Sequence, residues 1–392
     1  MKPWPTRSLG EIATILGGST PSRENISFWG GDIYWATPTD LPAPGAGISN
    51  IAATRNRLTQ AGLANCSAPV LPKGAVLFSS RATIGKVAIA DIPLATNQGF
   101  ANFVPSSEVS PRFLAYLLWY HRDDIARLSG STTFQEVSRG NLRKYRVPVP
   151  PLSEQERIVR LLDDADALRK LRVQANRRAA DLIPALFHEM FGDPEHTEYD
   201  VKPLIEVVNR QRPITYGILK PGHEIDDGIP YVRVVDIKEG RLHVHQLKRT
   251  TREIADQYRR STLVPGDILV TIRGTVGRLC IVPDELKGAN ITQDTARLAV
   301  NEQCEPIYAM HFLSSPWAQN WINHHTQGQA VKGINLGDLK RLPIPVPPLP
   351  LQKQFAHRVR EIRPLESLQS TSGFKIEALF QSLLHRAFQG EL

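Results

Sequence analysis

Between Ser153 and Met190 apolar side chains return every three or four positions in two interleaved heptad series, Ile158, Ala165, Ala179 and Leu186 in one and Leu161, Leu168, Ala175 and Leu182 in the other. Only Arg172 interrupts a core position. This spacing draws one apolar stripe along a helix and predicts a long helix that needs a partner over its whole length. A second stretch has the same character: Phe355, Val359, Ile362, Leu365 and Leu368, then a break at Ser370-Thr371-Ser372-Gly373, then Ile376, Leu379, Leu383 and Phe388. The two helices are predicted to pack antiparallel, with Leu161, Leu168 and Leu182 in the seam. Pro184 and Pro364 predict kinks or interruptions, since each lacks the N–H that a helix interior uses.

Nearly the same nine residues introduce each stretch. Val147-Pro148-Val149-Pro150-Pro151-Leu152-Ser153-Glu154-Gln155 recurs 197 residues later as Ile344-Pro345-Val346-Pro347-Pro348-Leu349-Pro350-Leu351-Gln352, with six identities and one Val/Ile exchange. An internal duplication follows. With φ locked and N–H groups missing, the prolines predict an extended, stiff lead-in to each helix. Ser153-Glu154-Gln155-Glu156 reads as a capping box, and Pro350 replaces its serine in the second copy.

The segments between these motifs repeat an order of elements. In residues 1–146 a short helix from Leu9 to Ala13, ending near Gly17-Gly18, precedes a polar loop (Ser19 to Asn25), a strand Asp32 to Trp35, a turn Thr37 to Asp40 and a Pro/Ala/Gly-rich loop at 42–47. Leu71 to Ala90 reads as strand, glycine-marked turn, strand, with Arg81 and Lys86 around the tip. Ser110-Pro111 opens an amphipathic helix from Phe113 to about Leu128. In residues 197–343 the counterparts are Leu204 to Val208, Pro230 to Arg233, a hairpin from Val264 to Leu279 with Arg273 and Arg278 in place of Arg81 and Lys86, Thr292-Gln293 in place of Asn97-Gln98, and a helix opened by Pro306-Ile307 that continues through Trp317 and Trp321. A shared scaffold with diverged loops is what two modules reading two different ligands would look like. The domains are therefore expected at 1–146, 147–193, 194–343 and 344–392: a module and a proline-led helix, twice.

Composition narrows the function without naming it. With 392 residues and 41% apolar content, the chain is long enough for two sizeable globular domains plus the helices. No run approaches a membrane span, and Met1-Lys2-Pro3-Trp4 leads into ordinary sequence, so a cytoplasmic protein is expected. Cys66, Cys280 and Cys304 have spacings that suit neither a zinc site nor a disulfide framework, and they read as reduced structural thiols. The net charge is +8, and residues 1–150 hold 15 basic against 9 acidic side chains. Such a basic excess is compatible with a polyanion. A Walker phosphate loop, a Gly-x-Gly-x-x-Gly pattern and the Asn/Asp-Pro-Pro-aromatic tetrapeptide of amino-methyltransferases are all missing. His243 and His245, alternating on an expected strand, and His324-His325 lack a third ligand at metal spacing, so no metal and no cofactor are expected. Asp163, Asp164 and Asp166 read as a solvated helix face.

Two diverged modules, each followed by Pro-Val-Pro-Pro-Leu-x-x-Gln and a long helix, resemble the specificity (S) subunit of type I restriction–modification enzymes over essentially the whole chain. The resemblance implies a mixed α/β fold, in which two pseudo-symmetric globular target recognition domains are separated by two long, antiparallel, coiled-coil-like helices. It implies a non-catalytic reader of double-stranded DNA, each domain taking one half of a bipartite, asymmetric sequence. The implied partners are two modification subunits, which hold S-adenosylmethionine and methylate adenine, and restriction/translocase subunits that hydrolyse ATP; no membrane is involved. A helix of about 38 residues spans roughly 57 Å before kinks and overlap with the domains, so half-sites would lie between one and about one and a half DNA turns apart at about 34 Å per turn.

For contact with DNA the candidates are Arg81 with Lys86 and Arg273 with Arg278, whose cations could fork onto guanine or clamp phosphate; buttressing of the hairpin or pairing with an acidic neighbour is the competing role. Their expected companions are Ser79, Ser80, Thr83, Asn97 and Gln98 in the first module and Thr275, Thr292, Gln293 and Lys332 in the second. A DNA methyltransferase in its own right, or a scaffold that bridges proteins without touching nucleic acid, are the rival readings.

Overall fold

A computed structural model describes residues 4–43, 46–129, 136–238, 240–329 and 331–392. Expectations that fall on Met1 to Pro3, and on Pro44 and Gly45 of the 42–47 loop, lie outside these residues. Two compact units are present: residues 1–174 with 371–392, and residues 175–370. Each long helix therefore contributes to both.

In the first unit a five-stranded sheet runs in the order Ala13–Gly17, Phe100–Pro105, Val76–Ser79, Val87–Ala90, Ser49–Ile51, and a three-stranded sheet in the order Asn56–Leu58, Trp29–Ala36, Ala95–Thr96. The strand Ala13–Gly17 occupies ground where the sequence predicted the tail of a helix. Its apolar side chains alternate, Ala13 and Ile15 buried and Thr14 exposed, and that period of two ends the helix after Ile12. The helix Pro111–Tyr120 shares a core with this sheet and buries every residue from Phe113 to Trp119. It stops at His121, and Arg122–Arg127 forms a separate helix where a single one was expected.

The second unit repeats the plan in diverged form. A four-stranded sheet (Thr215–Tyr216, Thr295–Leu298, Ile268–Thr271, Leu279–Ile281) stands beside a three-stranded one (Lys248–Thr250, Ile229–Val232, Asn290–Ile291). Its opening helix is reduced to a 3-10 turn, Leu204–Val207. The expected helix through Trp317 and Trp321 is two helices, Pro306–Ser314 and Pro316–His324, because Pro316 holds Ser315 extended at ψ 151. His243 precedes a 3-10 turn, Val244–Gln246, rather than alternating along a strand.

The proline runs are extended, as predicted, and each begins as one strand of a two-stranded ribbon: Arg146–Pro148 pairs with Thr6–Ser8, and Pro343–Pro345 with Val201–Pro203. The glutamine that ends each motif is fully buried and acts as a clamp. Gln155 donates from Nε2 to the carbonyls of Glu108 (2.9 Å) and Pro150 (2.8 Å), while its Oε1 accepts from the N–H of Ser110 (2.9 Å), the N-cap of Pro111–Tyr120. Gln352 repeats this on Gln303 O (3.2 Å), Pro347 O (2.7 Å) and the N–H of Glu305 (2.9 Å), the N-cap of Pro306–Ser314. Ser153 lies inside the helix, one residue past its start at Leu152, so the capping box predicted there does not form the N-terminus.

The long helices are Leu152–Phe191 and Leu349–Gln389. Pro184, Pro364 and the Ser370 to Gly373 segment all lie inside continuous helix, so the predicted interruptions are absent. In the first unit Ile158, Leu162 and Ala165 share a core with Phe380, Leu384, Ala387 and Phe388; in the second Ile183, Phe187 and Phe191 share one with Phe355, Ala356 and Val359. In each unit the beginning of one helix thus meets the end of the other, which is the antiparallel pairing expected.

The seam itself lies on a different stripe from the one predicted. Leu161, Leu168 and Leu182 are 39, 57 and 53% exposed. The buried companions stand four residues after Ile158, Ala165 and Ala179, not three, and are Leu162, Arg169 and Ile183. A charged residue at a seam position is tolerated because its charge is matched: the Arg169 guanidinium is 2.7 Å from Asp166 and lies over the Trp119 and Phe380 rings at 5.6 and 4.8 Å. Asp166 is consequently buried and does not belong to a solvated face, whereas Asp163, partly exposed, accepts from Arg112 Nε (2.8 Å) and Tyr116 OH (2.7 Å), and Asp164 is exposed as expected. Burial pushes the thiols of Cys280 and Cys304 up to about 12, as suits unreactive structural cysteines.

Candidate nucleic-acid interface

Each unit brings three turns together with the same hydrogen bonds. The first follows the central strand of the three-stranded sheet and is closed by an aspartate: Asp40 Oδ2 accepts from the N–H (2.7 Å) and hydroxyl (2.9 Å) of Thr37, and Asp236 Oδ2 accepts from the N–H of Arg233 (2.8 Å). The hairpin tip is the second. Ser79 Oγ accepts from the N–H of Lys86 (2.9 Å) and donates to Thr83 O (2.6 Å); Thr271 Oγ1 likewise accepts from Arg278 N–H (2.9 Å) and donates to Thr275 O. Gly85 and Gly277 take φ of +95° and +88° at the same place in this turn, a conformation that disfavours a Cβ. A third turn, at 97–99 and 292–294, hangs from the first two: Asn97 N–H donates to Ala36 O and Thr292 N–H to Val232 O, while Gly99 O accepts from Ser80 N–H and Asp294 O from Ile272 N–H.

Lys86 and Arg278 lock the tip to the first turn. Lys86 Nζ donates to Pro38 O (2.7 Å) and Leu41 O (3.4 Å), and Arg278 Nη1 to Val234 O (3.3 Å) and Ile237 O (3.0 Å). Both are candidates for DNA contact, and each gives two hydrogen bonds to loop carbonyls, the buttressing role that competes with such contact. Ser79 and Ser80, 0 and 4% exposed, are part of the same internal frame. Asn97 is partly exposed and uses Oδ1 on the N–H of Gly99 (3.0 Å).

The remaining candidates face outward. Arg81, Thr83 and Gln98 do so in the first unit, Gln98 accepting from the Thr20 hydroxyl; Arg273, Thr275 and Lys332 are exposed in the second, with Thr292 and Gln293 partly so. Arg81 Nε lies 3.0 Å from Glu136 Oε2, across an antiparallel bridge between the two residues. The matching bridge joins Arg273 to Gly333, where there is no side chain to answer the charge. Sequence reading missed Glu136, which is distant in the chain and carries no motif, and it missed Arg233, whose guanidinium is held on Asp236 by Nε (3.0 Å) and Nη2 (2.8 Å). Donation to the Asp236 carboxylate raises the Arg233 pKa above its usual value. Asp at the third position after Arg233 was the available signal. Among the described residues no cluster of three or more His, Cys, Asp or Glu could hold a metal, and no helix is long and apolar enough to cross a membrane.

Residues 1–177 and 197–365 match the family model described as the type I restriction modification DNA specificity domain. The chain belongs to this family. It is 29% identical over 319 residues to the type I restriction enzyme EcoBI specificity subunit of Escherichia coli, covering 74% of this chain and 67% of that one. With the MjaIX specificity subunit of Methanocaldococcus jannaschii the identity is 27% over 385 residues, 92% of this chain and 87% of the other. Two solved structures share the fold. One, from work on complex assembly and conformational transition of the type I R-M system, superposes with a TM-score of 0.63 at 18% identity over 100% of this chain and 99% of that one. The other, the type I restriction–modification S subunit from M. genitalium, gives 0.55 at 15% identity over 98 and 96%. As a type I specificity subunit, the chain is a mixed α/β protein for DNA target recognition.

Proposed function

We propose that this specificity subunit reads a bipartite, asymmetric duplex sequence, one half with each unit's three-turn face, and carries no catalysis of its own. The observation that carries the reading is the repetition of the frame: the same buried hydroxyl, aspartate and cation hold the turns in both units, while the side chains that point outward differ. A fixed frame with exchangeable outward residues is suited to recognising two unlike sequences. The tip arginines, Arg81 and Arg273, stand at matching bridge positions. A residue common to both heads cannot by itself tell two half-sites apart, so they clamp phosphate and set register, with Thr83, Gln98, Thr275, Thr292, Gln293 and Lys332 around them.

Two modification subunits dock on the long helices, where Leu161, Leu168 and Leu171 in the first unit and Leu182, Leu365 and Leu368 in the second are each 39% exposed or more. Those subunits supply S-adenosylmethionine and the methyl transfer; restriction/translocase subunits join them, and the assembly works on DNA in the cytoplasm. The first long helix, at 40 residues and about 1.5 Å per residue, sets the unread spacer.

The test is reconstitution with modification subunits. The assembly is expected to methylate one bipartite sequence, whereas the chain alone, with duplex DNA and labelled S-adenosylmethionine, transfers no methyl group. Turnover by the chain alone, or methylation at an undivided site, contradicts the proposal.

A further inference from the structure

The two aspartate-closed turns have one backbone and different outward chemistry. In the first unit the turn residue is Thr37, 9% exposed, whose N–H and hydroxyl are both spent on Asp40 and whose Oγ1 is also 2.7 Å from Thr39 Oγ1. In the second unit the same position holds Arg233. Its guanidinium lies against the buried Asp236, side-chain exposures being 30 and 7%. Asp236 engages Nε–H and one N–H of Nη2. Of the five N–H donors of a guanidinium, three remain: both on Nη1 and the second on Nη2. They form the end-on fork that matches two neighbouring acceptors such as guanine O6 and N7.

We infer that Arg233, buttressed by Asp236, is the guanine-reading side chain of the second unit. The inference rests on the reading of the three-turn face as the DNA surface. Three observations support it. The fork is already oriented, so little side-chain freedom is lost on contact. The turn adjoins the rest of the face, because Arg278 from the tip donates to Val234 O and Ile237 O and the third turn begins at Thr292 N–H on Val232 O. And this position differs between the units where the tip arginine does not, as a residue that discriminates one half-site from the other must. The neighbouring outward position differs in the same way, Thr39 in the first unit and Val235, 57% exposed, in the second.

The experiment uses the chain assembled with its modification subunits and a map of the methylated sequences. Arg233→Thr places on Asp236 the residue that already caps Asp40, so the turn is kept; Arg233→Lys keeps the charge and loses the fork. Both are expected to lose discrimination at one guanine of one half-site, roughly 10- to 100-fold, while the other half-site and the spacer stay as they were. A contact to phosphate would instead weaken all sequences alike and lower the salt dependence by about one ion. That outcome, or an unchanged methylated sequence in a variant that melts like the parent, overturns the assignment. Arg273→Ala separates this from the larger reading. If Arg273→Ala weakens DNA binding and Arg233→Thr leaves the sequence unaltered, only the role of Arg233 falls; if neither changes binding, the face is not the DNA surface.

Discussion

The hairpin tip of the first unit holds Arg81 against Glu136, and the tip of the second holds Arg273 opposite Gly333. A similar contrast occurs where each module meets its long helix. In the first unit Arg112 from the module lies 2.7 Å from Asp163 of the helix; in the second the module supplies the acid, Glu305, and the helix the cation, Arg360, at 2.9 Å. The helix positions match, Asp163 and Arg360 standing 197 residues apart, while the module partner is the second residue of its helix in one case and the N-cap in the other, and the signs are reversed. Position is therefore set by features indifferent to charge, namely the buried glutamine clamp and the apolar seam. Charges are free to diverge as long as they diverge in pairs. A module placed on the other module's helix would bring Arg112 against Arg360, or Glu305 against Asp163, so the swap also disfavours mispairing.

The comparison breaks most visibly if the seam is wrong. Phe380→Ala in the first unit and Phe355→Ala in the second should each cost about 3–5 kcal/mol in denaturant unfolding, whereas Leu168→Ala, on the outward stripe, should stay within about 0.5 kcal/mol of the parent. Equal effects at Leu168 and Phe380 would restore the stripe predicted from the heptads. The clamps come next. Gln155→Leu leaves the Ser110 N–H without its acceptor and Gln352→Leu does the same to Glu305, each costing about 1–3 kcal/mol; a large loss in one unit only would show that the two junctions are not equivalent.

The charge swap is a smaller term. Arg112→Glu should lower stability by roughly 1 kcal/mol, since the pair is partly solvated, and Asp163→Arg in the same chain should return most of it. Failure of the second change to rescue the first would mean that the pair is not what Arg112 contributes. Smallest is the contrast at the tips. With Glu136→Gln, Arg81 loses its counter-charge, and the slope of log binding constant against log salt should steepen by about one ion; Arg273→Ala should make it shallower by a similar amount. No change from Glu136→Gln would show that Arg81 does not approach phosphate.

Much of this was legible in the sequence because it depends on residue types with few alternatives. The repeated Pro/Gln motif, the antiparallel helices, both hairpins and the N1 prolines of both module helices were all visible there. The seam was misplaced because the heptads were read from hydrophobicity, which put Leu168 inside and Arg169 outside. Asp166, Trp119 and Phe380 together make Arg169 the buried residue, and two of these three are remote in the chain. The sequence leaves Lys86 and Arg278 between DNA contact and buttressing for a related reason: a cation at a hairpin tip is seen in the sequence, and the carbonyls of Pro38, Leu41, Val234 and Ile237 that accept from it are not. Arg233 escaped notice because its neighbours read as a strand end, and only the turn shows it to be the counterpart of Thr37.

Independence of the two reading faces is the claim on which the rest depends, and a module graft tests it most directly. Residues 1–146 of another type I specificity subunit, joined at Val147 and chosen with a cation at the position of Arg112, should fold onto the unchanged helices when assembled with modification subunits. The map of methylated sequences should then differ from the parent's in one half-site only, with the other half-site and the spacer retained. A folded, active graft in which both half-sites change would contradict the account, because the two faces would then be parts of one coupled surface.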